Sequence, residues 1–161
     1  VVKVVGIDPG FSGGIALVED GVVTNAIRMP TIKVPVTIKG KKKTRSEYDL
    51  PAIAGMIREF SPHVVCIEKV SSRPGEGSTS SFRFGFGTGV LHGIAAGLGI
   101  DIVTVAPAKW KNYYGIGADK EESMCLAREL APDVAERVLK YKKDDGVAES
   151  ILIALWAASN H

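Results

Sequence analysis

Three apolar segments crowd into the start of the chain, and only tight turns separate them. Val4–Ile7 runs into Asp8-Pro9-Gly10, Gly14–Val18 runs into Glu19-Asp20-Gly21, and Val22–Met29 follows. Strands joined by turns this short lie side by side and antiparallel. The chain is committed from its first residues to a meander. It also carries an acid, Asp8, at the end of a strand otherwise built for burial. Asp-Pro-Gly is good turn chemistry, so Asp8 reads either as a turn former or as a carboxylate held at the rim of a sheet.

The pattern then changes. Residues 30–46 contain Pro30, Pro35 and a lysine run, and read as a long excursion, a loose hairpin with Lys39–Lys43 at its tip. Asp49 caps a helix that has Pro51 in its first turn, with Leu50, Ile53, Ile57 and Phe60 at helical spacing until Pro62. His63–Val70 is a β-branched run suited to a strand buried on both faces. The polar loop SSRPGEGSTSS leads into a helix over Phe82–Leu98. Glycines at 85, 87, 89, 93, 97 and 99 cost that helix propensity, so close packing against another backbone is expected there. Ile102–Val105 is a further strand, and Pro107 opens a short helix. Asp119 caps another, with Glu121 and Glu122 in its first turn. After a break at Pro132, Asp144 or Asp145 starts a last helix through Ala157. No repeat or internal boundary is visible. The expectation is a single domain over residues 1–161 of α/β class: three antiparallel strands, then parallel strands, in a mixed sheet flanked by helices.

A chain of 161 residues can bury a core without disulfides. No apolar run reaches the ~18–20 residues of a membrane span, and no signal-peptide pattern precedes the first strand. The chain begins at Val1, so a residue or two is expected ahead of it. Cys66 and Cys125 make no disulfide framework, which points to a reducing intracellular compartment: cytoplasm, nucleoid, an organelle or a phage-infected cell. The net charge of +2 says nothing about nucleic acid, but its distribution does. Arg28, Lys33, Lys39, Lys41, Lys42, Lys43 and Arg45 occur with no acid among them. Lys41, Lys42 and Lys43 are candidates for phosphate contacts, with a merely solvated loop as the alternative.

Acids in unusual places carry the chemistry. Glu68 sits inside VVCIEKV, where an unpaired charge costs several kcal/mol. Lys69 beside it points to the other face of a strand and cannot be its partner. Asp145 and Glu149 lie four residues apart on one face of the last helix, and Ile151, Leu152, Ile153 and Leu155 follow at once. Four converging carboxylates (Asp8, Glu68, Asp145, Glu149) repel one another unless cations neutralise them. Oxygen-only ligands suit Mg²⁺, with Mn²⁺ as a substitute. Two such ions are an apparatus for in-line attack of water on a phosphodiester.

GIDPGFSGGIAL, CIEKV, PAKWKNYYGIGADKE and DDGVAESILIAL occur in that order between Val4 and Ala157. Together they resemble the Holliday-junction resolvases of the RuvC type, in the ribonuclease H-like superfamily. The resemblance implies a dimeric, Mg²⁺-dependent endonuclease with two ions per site. It would nick two strands of a four-way DNA junction symmetrically, leaving 5′-phosphate ends. Asp8 and Glu68 match the family's first two acids. In the last helix Glu149-Ser150 stands where bacterial members have Asp-Ala, a departure toward phage or organellar relatives. Asp144 and Asp145 compete for the remaining ligand position, and the helical-face argument prefers Asp145. By the same resemblance, an aromatic among Phe82, Phe84 and Phe86 approaches the junction centre with Arg83. Arg73 and Ser78–Ser81, Ser80 among them, face backbone phosphates, and Lys109, Lys111 and Lys120 are basic positions flanking the site. The glycine-rich helix resembles one that pairs across a homodimer two-fold. A helicase partner is left unknown.

Three other readings compete. Sugar kinases and actin-like ATPases share the opening motif but need a second lobe, for which this chain is too short. A different ribonuclease H-like nuclease would act on RNA or on branched DNA. A non-catalytic junction-binding protein would have lost its metal site.

Overall fold

In the computed structural model, which describes residues 1–161, the β-branched runs and their turn residues settle most of the architecture. β1 (Lys3–Asp8), β2 (Gly14–Glu19) and β3 (Val22–Arg28) form the antiparallel meander. Asp20 and Gly21, both at positive φ, make the second of its turns. β4 (Thr31–Ile38) and β5 (Lys41–Tyr48) form a separate two-stranded ribbon in unbroken register. The excursion expected at 30–46 is therefore a regular hairpin, not a loose one. Lys39 and Gly40, at φ 50° and 72°, make a two-residue turn whose twist matches the strands, and Lys41–Lys43 run along β5 below it.

α1 (Leu50–Phe60) begins where the Asp49 carboxylate accepts from the Ala52 N–H at 3.1 Å, and it ends at left-handed Ser61. β6 (Val64–Glu68), α2 (Ser78–Gly97) and β7 (Asp101–Val105) follow, then α3 (Pro107–Tyr114), α4 (Lys120–Leu130), α5 (Pro132–Val138) and α6 (Asp145–Asn160). The main sheet has the order β3-β2-β1-β6-β7, with β6 parallel to both β1 and β7. Two expectations need correction. α2 starts at Ser78, so Ser78–Ser81 belong to its first turn and not to a loop. Pro132 opens a short helix as well as ending one, because a proline's missing N–H costs nothing in a first turn. Both cysteines are free, Cys66 buried and Cys125 exposed. No helix is long and apolar enough to cross a membrane.

Strand alternation sorts the core into two layers. Val4, Ala16, Val18 and Cys66 pack under α6 with Trp110, Ile151 and Ala154. Val5, Ile7, Ile15, Val65 and Ile67 face the other way, onto Ile53 and Ile57 of α1 and Leu91 and Ala95 of α2. α6 lies directly on the sheet because glycines let it. A Cβ at Gly6 would run into the Ala154 nitrogen and the Ser150 carbonyl, and one at Gly146 into the Ser12 carbonyl. The glycines of α2 behave differently from expectation. Gly87 is closed off by the Tyr48 ring, but Gly85, Gly89, Gly93 and Gly97 face open space.

Candidate active site

The alternation that makes the core also makes the site. Gly6 and Cys66 point toward α6, so Asp8 and Glu68, two residues further along each strand, point the same way. They end neighbouring parallel strands, at the carboxyl edge of the sheet where α/β folds open their crevices. Glu149 comes to them from α6, which the glycine contacts hold against β1 and β2. Carboxylate oxygens of Asp8, Glu68 and Glu149 lie within 4.8 Å of one another. Glu68 and Glu149 are 8% and 3% exposed and Asp8 is half-buried, so little of this charge is spread into bulk water.

The electrostatics follow. The Asp8 carboxyl is held well above the usual range by burial, then by the charges of Glu149 and Glu68. Burial also raises Glu68, and Glu149 adds to it, while a hydrogen bond from Trp110 pulls it back. Two lysines close the other side. Lys111 Nζ is 3.3 Å from Glu149 Oε1, and Lys120 Nζ lies 3.1 Å from Glu149 Oε2 and 3.3 Å from Asp145 Oδ2. Burial works against the charge on Lys120, but Glu149 and Asp145 outweigh it and raise its pKa. Four carboxylates facing two ammonium groups leave excess negative charge in a cleft of about 580 Å³. Donors to one hard cation sit about 2.0–2.6 Å from it, so two of them are never more than about 5 Å apart. Asp8, Glu68 and Glu149 meet that limit, and all three are oxygen donors. The donor set fits a divalent cation of the Mg²⁺ or Mn²⁺ kind.

The remaining sequence candidates divide. Asp145 reaches the cleft through Lys120, outside the tight trio. Asp144 does not reach it. Its carboxylate is 1% exposed, paired with Arg28 at 2.5 Å and bonded to the N–H groups of Lys140 and Tyr141. The same pair removes Arg28 from the basic run. Lys111 and Lys120 are inside the site and not merely beside it. Lys109 instead lies over the Trp156 ring, and Arg83 donates to the Ser46 carbonyl at 2.7 Å. Arg73 and Phe84 line the cleft, Ser80 is exposed on the first turn of α2, and Phe82 and Phe86 are 74% and 60% exposed. Lys41, Lys42 and Lys43 are exposed on the ribbon.

Trp110 gives no sign in the sequence of being anything but core. It is fully buried, yet its indole N–H donates to Glu68 Oε2 at 2.7 Å. The only hint lies in the residue type, since a buried tryptophan needs an acceptor. Trp110→Phe keeps the packing and removes the donor. Loss of a group that orients a metal-binding carboxylate is expected to weaken Mn²⁺ binding roughly 10- to 100-fold in a titration. The same loss should move the acidic limit of that binding upward in pH, because the bond now holds Glu68 down. Weaker binding with an unmoved pH limit would assign Trp110 to packing alone.

Known proteins resemble the chain in part of its sequence and in its fold. No protein-family model matches the chain. Over 86 residues, 52% of this chain, it is 35% identical to a Chlamydomonas reinhardtii protein, the chloroplastic Holliday junction resolvase MOC1. The matched stretch is 10% of that relative's own length. Thermus thermophilus RuvC, solved in complex with a Holliday junction substrate, superposes with a TM-score of 0.58 at 15% identity, covering 96% of this chain and 91% of that one. The fold is RuvC-like. Yeast mitochondrial Ydc2, another Holliday junction resolvase, superposes with a TM-score of 0.53 at 16% identity, over 98% and 78% of the two chains. Both superpositions are likenesses of fold, over nearly the whole of this chain.

Proposed function

We propose that this chain is a structure-selective DNA endonuclease that resolves four-way junctions by paired, symmetry-related nicks, with Mg²⁺ as its metal. The observation that carries the reading is the trio Asp8, Glu68 and Glu149, gathered within 4.8 Å on a RuvC-like fold. The local identity to MOC1 supports junction DNA as the substrate class.

Asp8, Glu68 and Glu149 would hold the metal, with Asp145 at the cleft beside them. Two divalent cations per site are proposed, and that pair would supply Lewis acidity toward an attacking water and toward the departing 3′ oxygen. Trp110 fixes the Glu68 carboxylate in one orientation. Lys111 and Lys120 restrain Glu149 and place ammonium groups where a scissile phosphate brings further negative charge. Arg73 and Phe84 line the cleft between α2 and the Asp-Pro-Gly turn, where a strand enters. Exposed Phe82 and Phe86 offer faces on which an unpaired base can stack.

A junction presents two equivalent scissile positions, so a two-fold dimer supplies two matched sites. The open face of α2 supports this arrangement. Only Gly87, Leu91 and Ala95 of its twenty residues are buried, and Gly85, Gly89 and Gly93 leave room for a second backbone.

A gel assay on a synthetic four-way junction, each strand labelled in turn and Mg²⁺ varied, tests the proposal. The expected result is paired nicks at symmetry-related positions, dependent on Mg²⁺ or Mn²⁺, with little cutting of linear duplex. Equal cutting of RNA or plain duplex would assign the chain to another nuclease activity, and binding without cleavage in either metal would remove the catalytic reading.

A further inference from the structure

The β4–β5 ribbon stands apart from the main sheet. It packs extensively only on itself, and a lone two-stranded hairpin is marginal in water. Its register sorts the charges by face. Directly opposite pairs are Ile32 and Glu47, Val34 and Arg45, Val36 and Lys43, and Ile38 and Lys41, all on one side. Lys33, Pro35 and Thr37 pair with Ser46, Thr44 and Lys42 on the other. The lysine run, continuous in sequence, is thus split in space, Lys41 and Lys43 from Lys42.

The two faces are not equivalent. On the second, Lys33 is spent on the Ser46 hydroxyl at 2.6 Å, and Arg83 of α2 ties the Ser46 carbonyl to the body of the molecule. At its base, Tyr48 is buried against Gly87 and Phe11. Away from that base the second face is open to solvent, with Lys33, Pro35, Thr37, Lys42 and Thr44 all exposed. On the first face Val34, Val36 and Glu47 are half-buried, while Lys41, Lys43 and Arg45 are exposed beside them. Arg45 and Glu47, paired to each other, line an apolar hollow of about 400 Å³ with Phe11, Leu50, Phe82 and Phe86. A ladder of Lys41, Lys43 and Arg45 therefore descends the ribbon to the exposed aromatics at the start of α2.

Alternate residues of a strand are roughly 7 Å apart, close to the separation of successive phosphates along one nucleic-acid strand. The β-branched row opposite, Val34 to Ile38, keeps the ribbon extended, and the alkyl stems of the lysines can lie along it with their charges outward. We infer that the Lys41/Lys43/Arg45 face of the ribbon is a backbone-tracking arm, which holds one duplex arm of the DNA and delivers its end to the Phe82/Phe86 shelf. The inference rests on the nuclease reading for its ligand. It goes beyond that reading in naming one face of an element outside the main sheet.

Fluorescence anisotropy on two probes, a four-way junction and a linear duplex, over a salt series without divalent metal tests it. The Lys41→Ala/Lys43→Ala variant and the Lys33→Ala/Lys42→Ala variant remove the same charge from opposite faces. Each lysine that no longer neutralises a phosphate lowers the salt slope by about 0.9. The first variant is expected to bind roughly tenfold or more weakly near 0.1 M salt, with a slope smaller by about 1.8, on both probes. The second should stay within about twofold of wild type, and Lys41→Arg/Lys43→Arg should bind like wild type. Equal weakening from the two faces, or none from Lys41 and Lys43, overturns the arm. A wild-type chain that does not prefer the junction overturns the resolvase reading instead, and the face comparison is then read on the duplex. Binding of neither probe overturns both.

Discussion

Glu68→Gln is expected to end strand cleavage while leaving junction binding at wild-type strength or better. The substitution keeps the shape and the acceptor that Trp110 uses, and removes only the negative charge. Losing one electrostatic group from a catalytic centre costs roughly 10²–10³-fold in rate, and here the group is also a ligand. Binding should survive because Glu68 faces the phosphate with like charge. The measurement is a single-turnover cleavage assay beside a binding isotherm on the same junction. Normal cutting by the variant would refute the metal-site assignment.

The same variant carries an independent readout. Folding raises the Glu68 pKa, so the folded chain holds that proton more tightly than the unfolded one. Such a group stabilises fully below its unfolded pKa, and the contribution is lost as pH rises through the folded value. Near neutrality, in chelator, the charged Glu68 is a burden. Glu68→Gln should then melt above wild type, with the advantage shrinking as the buffer is acidified.

The second large effect concerns stability. Gly6→Ala places a Cβ against the Ala154 nitrogen and the Ser150 carbonyl of α6, which are backbone atoms that cannot rotate away. Relief requires lifting the helix from the sheet. Overpacking of this kind costs about 3 kcal/mol, the upper part of the usual range. For a chain of this size that lowers Tm by roughly 6–12 °C. Gly55→Ala in α1 is the control: its Cβ meets open space, so helix propensity alone should raise stability by about 0.5–1 kcal/mol. Lifting α6 also draws Glu149 away from Asp8, so cleavage well below Tm should fall too. Unchanged melting would mean that α6 sits more loosely on β1 than the close approach at Gly6 implies.

Much of the layout is legible in the sequence because turn residues, caps and β-branching act locally. The Asp-Pro-Gly and Glu-Asp-Gly turns and the Asp49 and Asp119 caps lie where the sequence puts them, and the strand expected over His63–Val70 forms over Val64–Glu68. Asp8, Glu68 and Glu149 stand out because a carboxylate among apolar residues is costly and calls for a reason. The regularity of the ribbon is hidden, since it rests on cross-strand register and not on local composition. The start of α2 is hidden too, because Ser78–Ser81 resemble a loop in composition. The roles of Trp110, Arg28 and Asp144 are out of reach, since each depends on a partner far away in the chain. The choice between Asp144 and Asp145 turns on the same fact: Arg28, from β3, occupies one of them.

The glycine contacts beneath α6 have a consequence for when the acidic cluster is complete. Asp8 lies on β1 and Glu149 on α6, with every other element of the fold between them in the chain. Until α6 docks, Val4, Ala16 and Val18 have no cover, and the first two acids have no third. Contacts that span so much of the chain form late, because the entropy of closing so long a loop must be met first. A chain in which α6 has not docked therefore lacks one layer of the core and the third acid of the cluster, so the cluster is completed only by the fold that restrains it.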